Sequence, residues 1–126
     1  MRILGAFLAE DSAWVDGKLT IVGAGFGSTH VQPGTDRGGA HVVFLCESGG
    51  DDVGQTFIVH IEPYGPSGAR LPGFRSEVVV PGILQIMTTG LIPLPFEPTG
   101  GHHSYLVSIE GEGEPITIPL DVFVDG

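Results

Sequence analysis

The chain has 126 residues, of which 41% are hydrophobic and 16% are charged. A chain of this length forms one ordinary domain and buries a sizeable core without a metal or a disulfide, so we expect a single domain over residues 1–126. Fifteen acidic and five basic residues give a net charge of -10. Nucleic-acid backbones and anionic membranes repel a chain of this charge, so neither is expected as a partner. The 21 glycines and 10 prolines fall between apolar runs, as in turn-rich all-β proteins.

The first apolar run, residues 3–9, is followed at once by Glu10 and Asp11. It is at the lower length limit for the core of a signal peptide, so we interpret it as a first strand. No apolar run is long enough to span a membrane. Cys46 is the only cysteine of the chain. It lies within the apolar segment "HVVFLCES", where a buried thiol is expected rather than a nucleophile. The expected location is the cytoplasm, or a virion if the chain belongs to a phage.

Short apolar runs with period-two alternation, bounded by Gly, Pro, Asp and Ser, predict strands along the whole chain. The predicted strands are residues 3–9, 18–26, 41–47, 55–62, 77–80, 83–88, 105–110 and 116–124. Asp16-Gly17 between "SAWV" and "KLTIVG" is a strong hairpin signal. The spacing predicts an all-β, immunoglobulin-like antiparallel β-sandwich of seven to nine strands with little helix.

The glycines of "LTIVGAGFGSTH" (residues 19–30) raise the question of a dinucleotide-binding loop. That fingerprint needs a third glycine at its sixth position and then a helix. The sixth position from Gly23 is Ser28, and the following "THVQPGTDRGG" does not favour a helix. A nucleotide site is therefore excluded in favour of a structural or partner-binding role.

Glycines spaced by two fall on one face of a strand, so Gly23, Gly25 and Gly27 are expected to leave a flat strip without side chains. Core packing or a bulge is the simplest use of such a strip, and a platform for a partner is the alternative. Pro119 interrupts the last predicted strand and places it at a sheet edge or a bulge. These four residues form the candidate partner platform.

Histidines are the next candidates for chemistry. His102 and His103 are adjacent, so in a strand they face opposite sides and do not chelate one ion together. His41 and His60 could meet across neighbouring strands near Glu62. Without further ligand spacing, a solvated cross-strand pair is expected, and no metal or cofactor is predicted.

Three further residues or segments have predicted structural roles. The proline-rich "IPLPFEP" at residues 92–98 is expected to be a stiff crossover between sheets rather than a proline-rich ligand for another domain. Tyr105 is expected at a strand start, with its ring in the core and its hydroxyl on nearby backbone. Trp14 is expected to be at least half buried against the hairpin.

The order of these features resembles a family of small uncharacterised bacterial proteins, common in actinobacteria, that share a domain without an assigned function. An early "K-L-x-I-x-G-x-G" element is matched by residues 18–25, and a late "P…G-x-Y-x-V-x-I-x-G" element by residues 95–111, although "TGGHHS" departs from the usual approach to Tyr105. The resemblance implies an immunoglobulin-like sandwich. It implies no catalytic residues.

Three function classes follow from the sequence. The first is a non-catalytic binding or assembly module whose partner is another protein, a larger cellular or phage assembly, or further copies of the chain. The second is a small-molecule or carbohydrate-binding sandwich with Trp14, Tyr64, Phe74 and Phe96 as candidate platforms. The third and least supported is an enzyme that uses His41, His60 and Glu62. We expect the first class.

Overall fold

The computed structural model describes residues 2–80 and 82–125, and this part of the chain is all-β. It contains ten strands and one short 3-10 turn (Gly50–Asp52), without an α-helix among the described residues. The strands are β1 (Arg2–Ala9), β2 (Asp11–Val15), β3 (Lys18–Val22), β4 (Ser28–Val31), β5 (Arg37–Glu47), β6 (Thr56–Tyr64), β7 (Phe74–Val79), β8 (Leu84–Pro95), β9 (Gly101–Ile109) and β10 (Glu112–Val124).

The strands form three sheets. A three-stranded sheet has the order β1-β5-β8, a five-stranded sheet has the order β4-β10-β9-β6-β7, and β2 pairs with β3 as a separate hairpin. Neighbouring strands are antiparallel except for β4 and β10, which run parallel from Asp121 to Val124 of β10.

One hydrophobic core joins the inner faces of the two larger sheets. The three-stranded sheet contributes Ile3, Leu8, Ala40, Val42, Phe44, Cys46, Met87, Ile92 and Leu94, and the five-stranded sheet contributes Val59, Ile61, Val78, Tyr105, Val107, Ile109, Ile118, Leu120 and Val122. Side chains alternate between the two faces of a strand, so β10 buries Leu120 while Pro119 and Asp121 face solvent. The predicted period-two patterns are confirmed here.

The strand count exceeds the expected seven to nine because β4 lacks a clear sequence pattern and β2 is a strand in its own right. The expected crossover at residues 92–98 is right only for its last part: residues 96–100 connect β8 of the three-stranded sheet to β9 of the five-stranded sheet, whereas Pro93 and Pro95 lie in β8, which pairs with β5. The Phe96 N–H donates to the Asp36 carbonyl at 2.9 Å, so the nitrogens of Pro93 and Pro95 face the open side of this edge strand. The two prolines therefore remove no hydrogen bond between β8 and β5.

Several local predictions are confirmed. Asp16 and Gly17 have φ of 51° and 75°, as the two-residue hairpin turn requires. Cys46 is buried, as expected. Pro119 lies where β10 pairs with β9 but not yet with β4, which makes that part of β10 a sheet edge. The expectation that Trp14 is at least half buried is narrowly wrong, because Trp14 is 51% exposed.

Candidate functional site

The glycines of the candidate platform do not form a flat strand surface, so that expectation is wrong. β3 ends at Val22, and Gly23, Gly25 and Gly27 belong to the loop that leads to β4. Gly23 and Gly25 have φ of 65° and 76°, which takes the chain out of the extended conformation. The loop is fixed to the domain because Gly25 N–H donates to the Leu8 carbonyl at 2.7 Å.

The loop also reaches the edge of β10. The Gly27 carbonyl accepts a 2.9 Å hydrogen bond from the Asp121 N–H, two residues beyond Pro119. The structure therefore ties Gly27 to the same strand as Pro119, while Gly23 lies at the base of the hairpin, where a Cβ would overlap the Glu10 side chain. The four residues belong to a loop and an edge rather than to one platform.

The proposed histidine group is also not formed. His41 lies on β5 of the three-stranded sheet, and His60 lies on β6 of the five-stranded sheet. The expectation is wrong because the chain changes sheet between β5 and β6. His60 Nε2 instead lies 3.6 Å from Glu110 Oε2, and Glu62 pairs with Arg70 at 3.5 Å. Among the described residues, no three His, Cys, Asp or Glu side chains form a potential metal site.

The adjacent pair His102 and His103 faces opposite sides, as predicted. His102 is exposed and lies 2.8 Å from an Asp121 carboxylate oxygen. His103 is fully buried, and its Nε2 accepts the Glu97 N–H at 2.9 Å. Because Nε2 is the acceptor, the proton lies on Nδ1, which is 2.9 Å from the Gly101 carbonyl. This side chain fixes the β8–β9 connection.

His41 has a role that the sequence did not indicate. It is only 7% exposed because the hairpin covers it on the outer face of the three-stranded sheet. Ser12 Oγ on β2 lies 2.7 Å from His41 Nδ1 and 2.8 Å from Thr88 Oγ1 on β8. Asp11 Oδ1 lies 3.6 Å from His41 Nε2. We call these four residues the hairpin clamp, since they connect β2 to β5 and β8.

The clamp contains the serine, histidine and carboxylate types that hydrolases use. Its geometry is nevertheless that of an anchor. The Ser12 hydroxyl is shared between His41 and Thr88, and the imidazole lies beneath the strand that carries the serine. No sequence spacing could have indicated the clamp, because its members come from three strands in two sheets.

Outside the clamp the hairpin is largely open. Trp14 and Val15, next to the turn, are 51% and 52% exposed, and Val22 at the base is 53% exposed. Trp14 pairs across the hairpin with Leu19, so both strands carry apolar side chains near the tip. A two-stranded sheet has little stability of its own in water, and this one is held at its base while its apolar tip stays uncovered.

A second candidate site is a cavity of about 430 Å³ between the start of β7 and the end of β8. Its walls are mainly apolar and include Leu71, Pro72, Phe74, Pro93, Pro95 and Phe96. Two of the four aromatic platform candidates, Phe74 and Phe96, thus meet here, whereas Trp14 and Tyr64 lie elsewhere. Phe96 is only 3% exposed, so it is a wall of a cavity and not an open stacking surface for a sugar.

Charged groups stand at the rim of the cavity. Arg37 Nε lies 3.4 Å from Asp36 Oδ1. The Glu97 carboxylate accepts the Ser67 N–H at 3.0 Å, and this hydrogen bond lowers the pKa of Glu97. The rim is therefore polar while the interior is apolar.

Comparison with known proteins adds no assignment, since neither a family model nor a curated protein matches the chain. The described residues also include no helix with the length and hydropathy needed to cross a bilayer.

Proposed function

We propose that the chain is a non-catalytic β-sandwich module that binds a protein partner through the hairpin. The supporting observation is the uncovered apolar tip at Trp14 and Val15, on an element whose base is anchored by buried polar contacts. Exposed apolar patches of this kind on otherwise polar surfaces mark interaction sites. Homo-oligomers, cellular complexes and phage particles are the assemblies in which such a module would act, in the cytoplasm or in a virion.

The proposal includes an immunoglobulin-like topology. In that topology the first strand can divide between the two sheets. The strand orders β1-β5-β8 and β4-β10-β9-β6-β7 fit this arrangement if β1 and β4 are the two parts of the first strand. Tyr105 supports it, since its buried ring and its hydroxyl bond to the Pro95 carbonyl resemble the corner tyrosine of such domains. This topology, with the motifs at residues 18–25 and 95–111, is the basis for proposing the resembling bacterial family.

The test uses the native source. Tagged wild-type protein and a Trp14→Ser/Val15→Thr variant are purified in parallel, and the mass of each particle is measured by light scattering after size exclusion. We expect the wild type to form a larger particle and the variant to lose it. Phe123→Ser is the matched control, because Phe123 is 50% exposed on β10, outside the hairpin. A wild type that stays monomeric and free of partners would refute the proposal.

The cavity favours a second candidate function, the binding of a small apolar ligand. Its volume of about 430 Å³ and its Phe and Pro walls suit an uncharged aromatic compound. We expect N-phenyl-1-naphthylamine to bind with increased fluorescence and Phe74→Ser to weaken binding, with Phe123→Ser as control. Equal fluorescence for wild type and the Phe74 variant would exclude this function.

A further inference from the structure

β7 is an uncovered edge of the five-stranded sheet. Among the described residues it pairs with β6 only. Val79, its last residue, is 57% exposed, and Arg75 and Glu77 are also exposed. A free edge presents unpaired N–H and C=O groups, which bind another strand unless something prevents it.

The hydrogen bonds of β6 show which backbone groups of β7 are free. Glu110 N–H donates to the Ile58 carbonyl at 2.8 Å, so the backbone of Ile58 faces β9. Hydrogen-bonding direction alternates along a strand, and Val59 therefore faces β7, where its partner is Ser76. The backbone groups of Arg75 and Glu77, one residue to either side of Ser76, consequently point outward from the sheet edge.

The side chains at this edge alternate in the same way. Val78 is buried and Phe74 packs against the core, while Arg75 and Glu77 project from the solvent face. The free edge thus has one basic and one acidic residue, two positions apart. Such an edge is complementary in charge to a second copy of itself running antiparallel.

Only one two-fold register uses that complementarity. With the axis at Ser76, Arg75 of each copy lies opposite Glu77 of the other, twice in the interface. An axis at Arg75 or at Glu77 would instead place like charges opposite each other, which is destabilising. The register at Ser76 also places Phe74 of one copy beside Val78 of the other on the core side.

We propose that two copies of the chain associate through β7 in this register, which makes one continuous sheet from the two five-stranded sheets. This inference rests on the proposed assembly function and names a second copy of the chain as one partner. It uses a surface separate from the hairpin.

A charge-exchange experiment tests the pairing by sedimentation equilibrium of the purified chain. We expect a wild-type dimer, a dissociation constant raised about tenfold or more in Arg75→Glu and in Glu77→Arg, and recovery in the double variant. The two single variants change net charge in opposite directions, so weakening in both would exclude a simple net-charge effect. Arg2→Glu and Glu114→Arg, on other exposed strand positions, are controls that should leave the dimer unchanged.

Proline variants test the backbone part of the interface. The N–H of Glu77 points to the free edge opposite Arg75 of the other copy, so Glu77→Pro should weaken the dimer more than Glu77→Gln, which removes the charge alone, and should keep the wild-type circular dichroism and Tm. Ser76→Pro removes a hydrogen bond to β6 and should lower Tm as well. A Glu77→Pro dimer as strong as that of Glu77→Gln would contradict the backbone pairing.

The remaining outcomes separate this inference from the proposed function. A wild type that is monomeric up to about 0.5 mM would overturn the β7 dimer and leave the native-source test of the hairpin intact. A dimer that resists the β7 variants but dissociates in Trp14→Ser/Val15→Thr would overturn the β7 register and support the hairpin.

Discussion

The Tyr105 hydroxyl donates a 2.9 Å hydrogen bond to the carbonyl oxygen of Pro95. Tyr105 is fully buried on β9 of the five-stranded sheet, and Pro95 ends β8 of the three-stranded sheet. The bond therefore joins the two sheets next to the cavity. It also explains why a tyrosine, and not a phenylalanine, occupies this core position.

Tyr105→Phe should lower the free energy of unfolding by about 1 kcal/mol, because the Pro95 carbonyl loses its partner while the ring stays in the core. The measurement is urea denaturation followed by circular dichroism. Tyr64→Phe is the control, since Tyr64 is only partly buried and its hydroxyl contact with Glu62 is long, at 3.5 Å. Equal stability of Tyr105→Phe and wild type would show that the bond contributes nothing.

The same residue predicts a loss of stability in alkali. Burial raises the pKa of Tyr105 well above its ordinary value. The unfolded chain loses the phenolic proton above about pH 10 while the folded chain retains it, so folding stability falls as pH rises beyond that point. Tyr105→Phe should lose less stability than wild type between pH 8 and pH 11. A wild type and variant that lose stability in parallel would contradict the prediction.

The hairpin clamp gives a prediction about local stability. Ser12→Ala removes the hydroxyl shared by His41 and Thr88 and leaves the buried imidazole without that partner. We expect about 1 to 3 kcal/mol of destabilisation, with faster hydrogen exchange at the amides of β2 and β3. Thr20→Ala, at an exposed site on β3, should leave exchange unchanged. Slow exchange in Ser12→Ala would mean that apolar contacts alone hold the hairpin.

Local chemistry explains what the sequence could predict. Alternation identifies most strands, Asp16-Gly17 identifies the hairpin, and the apolar neighbours of Cys46 indicate its burial. Each of these depends on interactions within a few residues. The buried ring of Tyr105 and its hydroxyl bond to backbone were predictable as a known sandwich feature, but the expected position at a strand start is wrong, because β9 begins at Gly101.

The remaining features depend on which strands become neighbours. His41 and His60 lie on strands that follow each other in the chain, which suggests a cross-strand pair. The two strands, β5 and β6, belong to different sheets. The prolines at positions 93 and 95 suggest a crossover until β8 is known to be an edge strand. The positive φ values at Gly23 and Gly25 also depend on a distant part of the chain, because the loop that contains both glycines is hydrogen-bonded to the Leu8 carbonyl.

Cys46 should be unreactive in the folded protein. Burial raises the pKa of its thiol, and Sγ lies 3.4 Å from Met87 Sδ inside the core. Because the thiolate is the reactive form, we expect Ellman's reagent to label Cys46 only at the rate of unfolding, and rapidly in urea. Cys46→Ala provides the blank. Rapid stoichiometric labelling under native conditions would show that β5 opens locally.

Gly65 and Glu97 should be coupled. A Cβ at position 65 would overlap the Glu97 carboxylate, which accepts the Ser67 N–H. Gly65→Ala should therefore displace the carboxylate, lower Tm by a few degrees and return the pKa of Glu97 toward its ordinary value. Gly50→Ala is the matched control, because a Cβ there meets no other atom within contact range.

Two measurements separate this coupling from a general effect of alanine. The Ser67 hydrogen bond lowers the pKa of Glu97, so its contribution to stability is present above the unfolded value near pH 4.3 and is lost as pH falls. The difference in Tm between wild type and Gly65→Ala should accordingly shrink on acidification below about pH 4. In a Glu97→Ala background, Gly65→Ala should cost little, since the overlapping carboxylate is gone. A cost that is equal in both backgrounds and independent of pH would show that Gly65 is needed for its backbone alone.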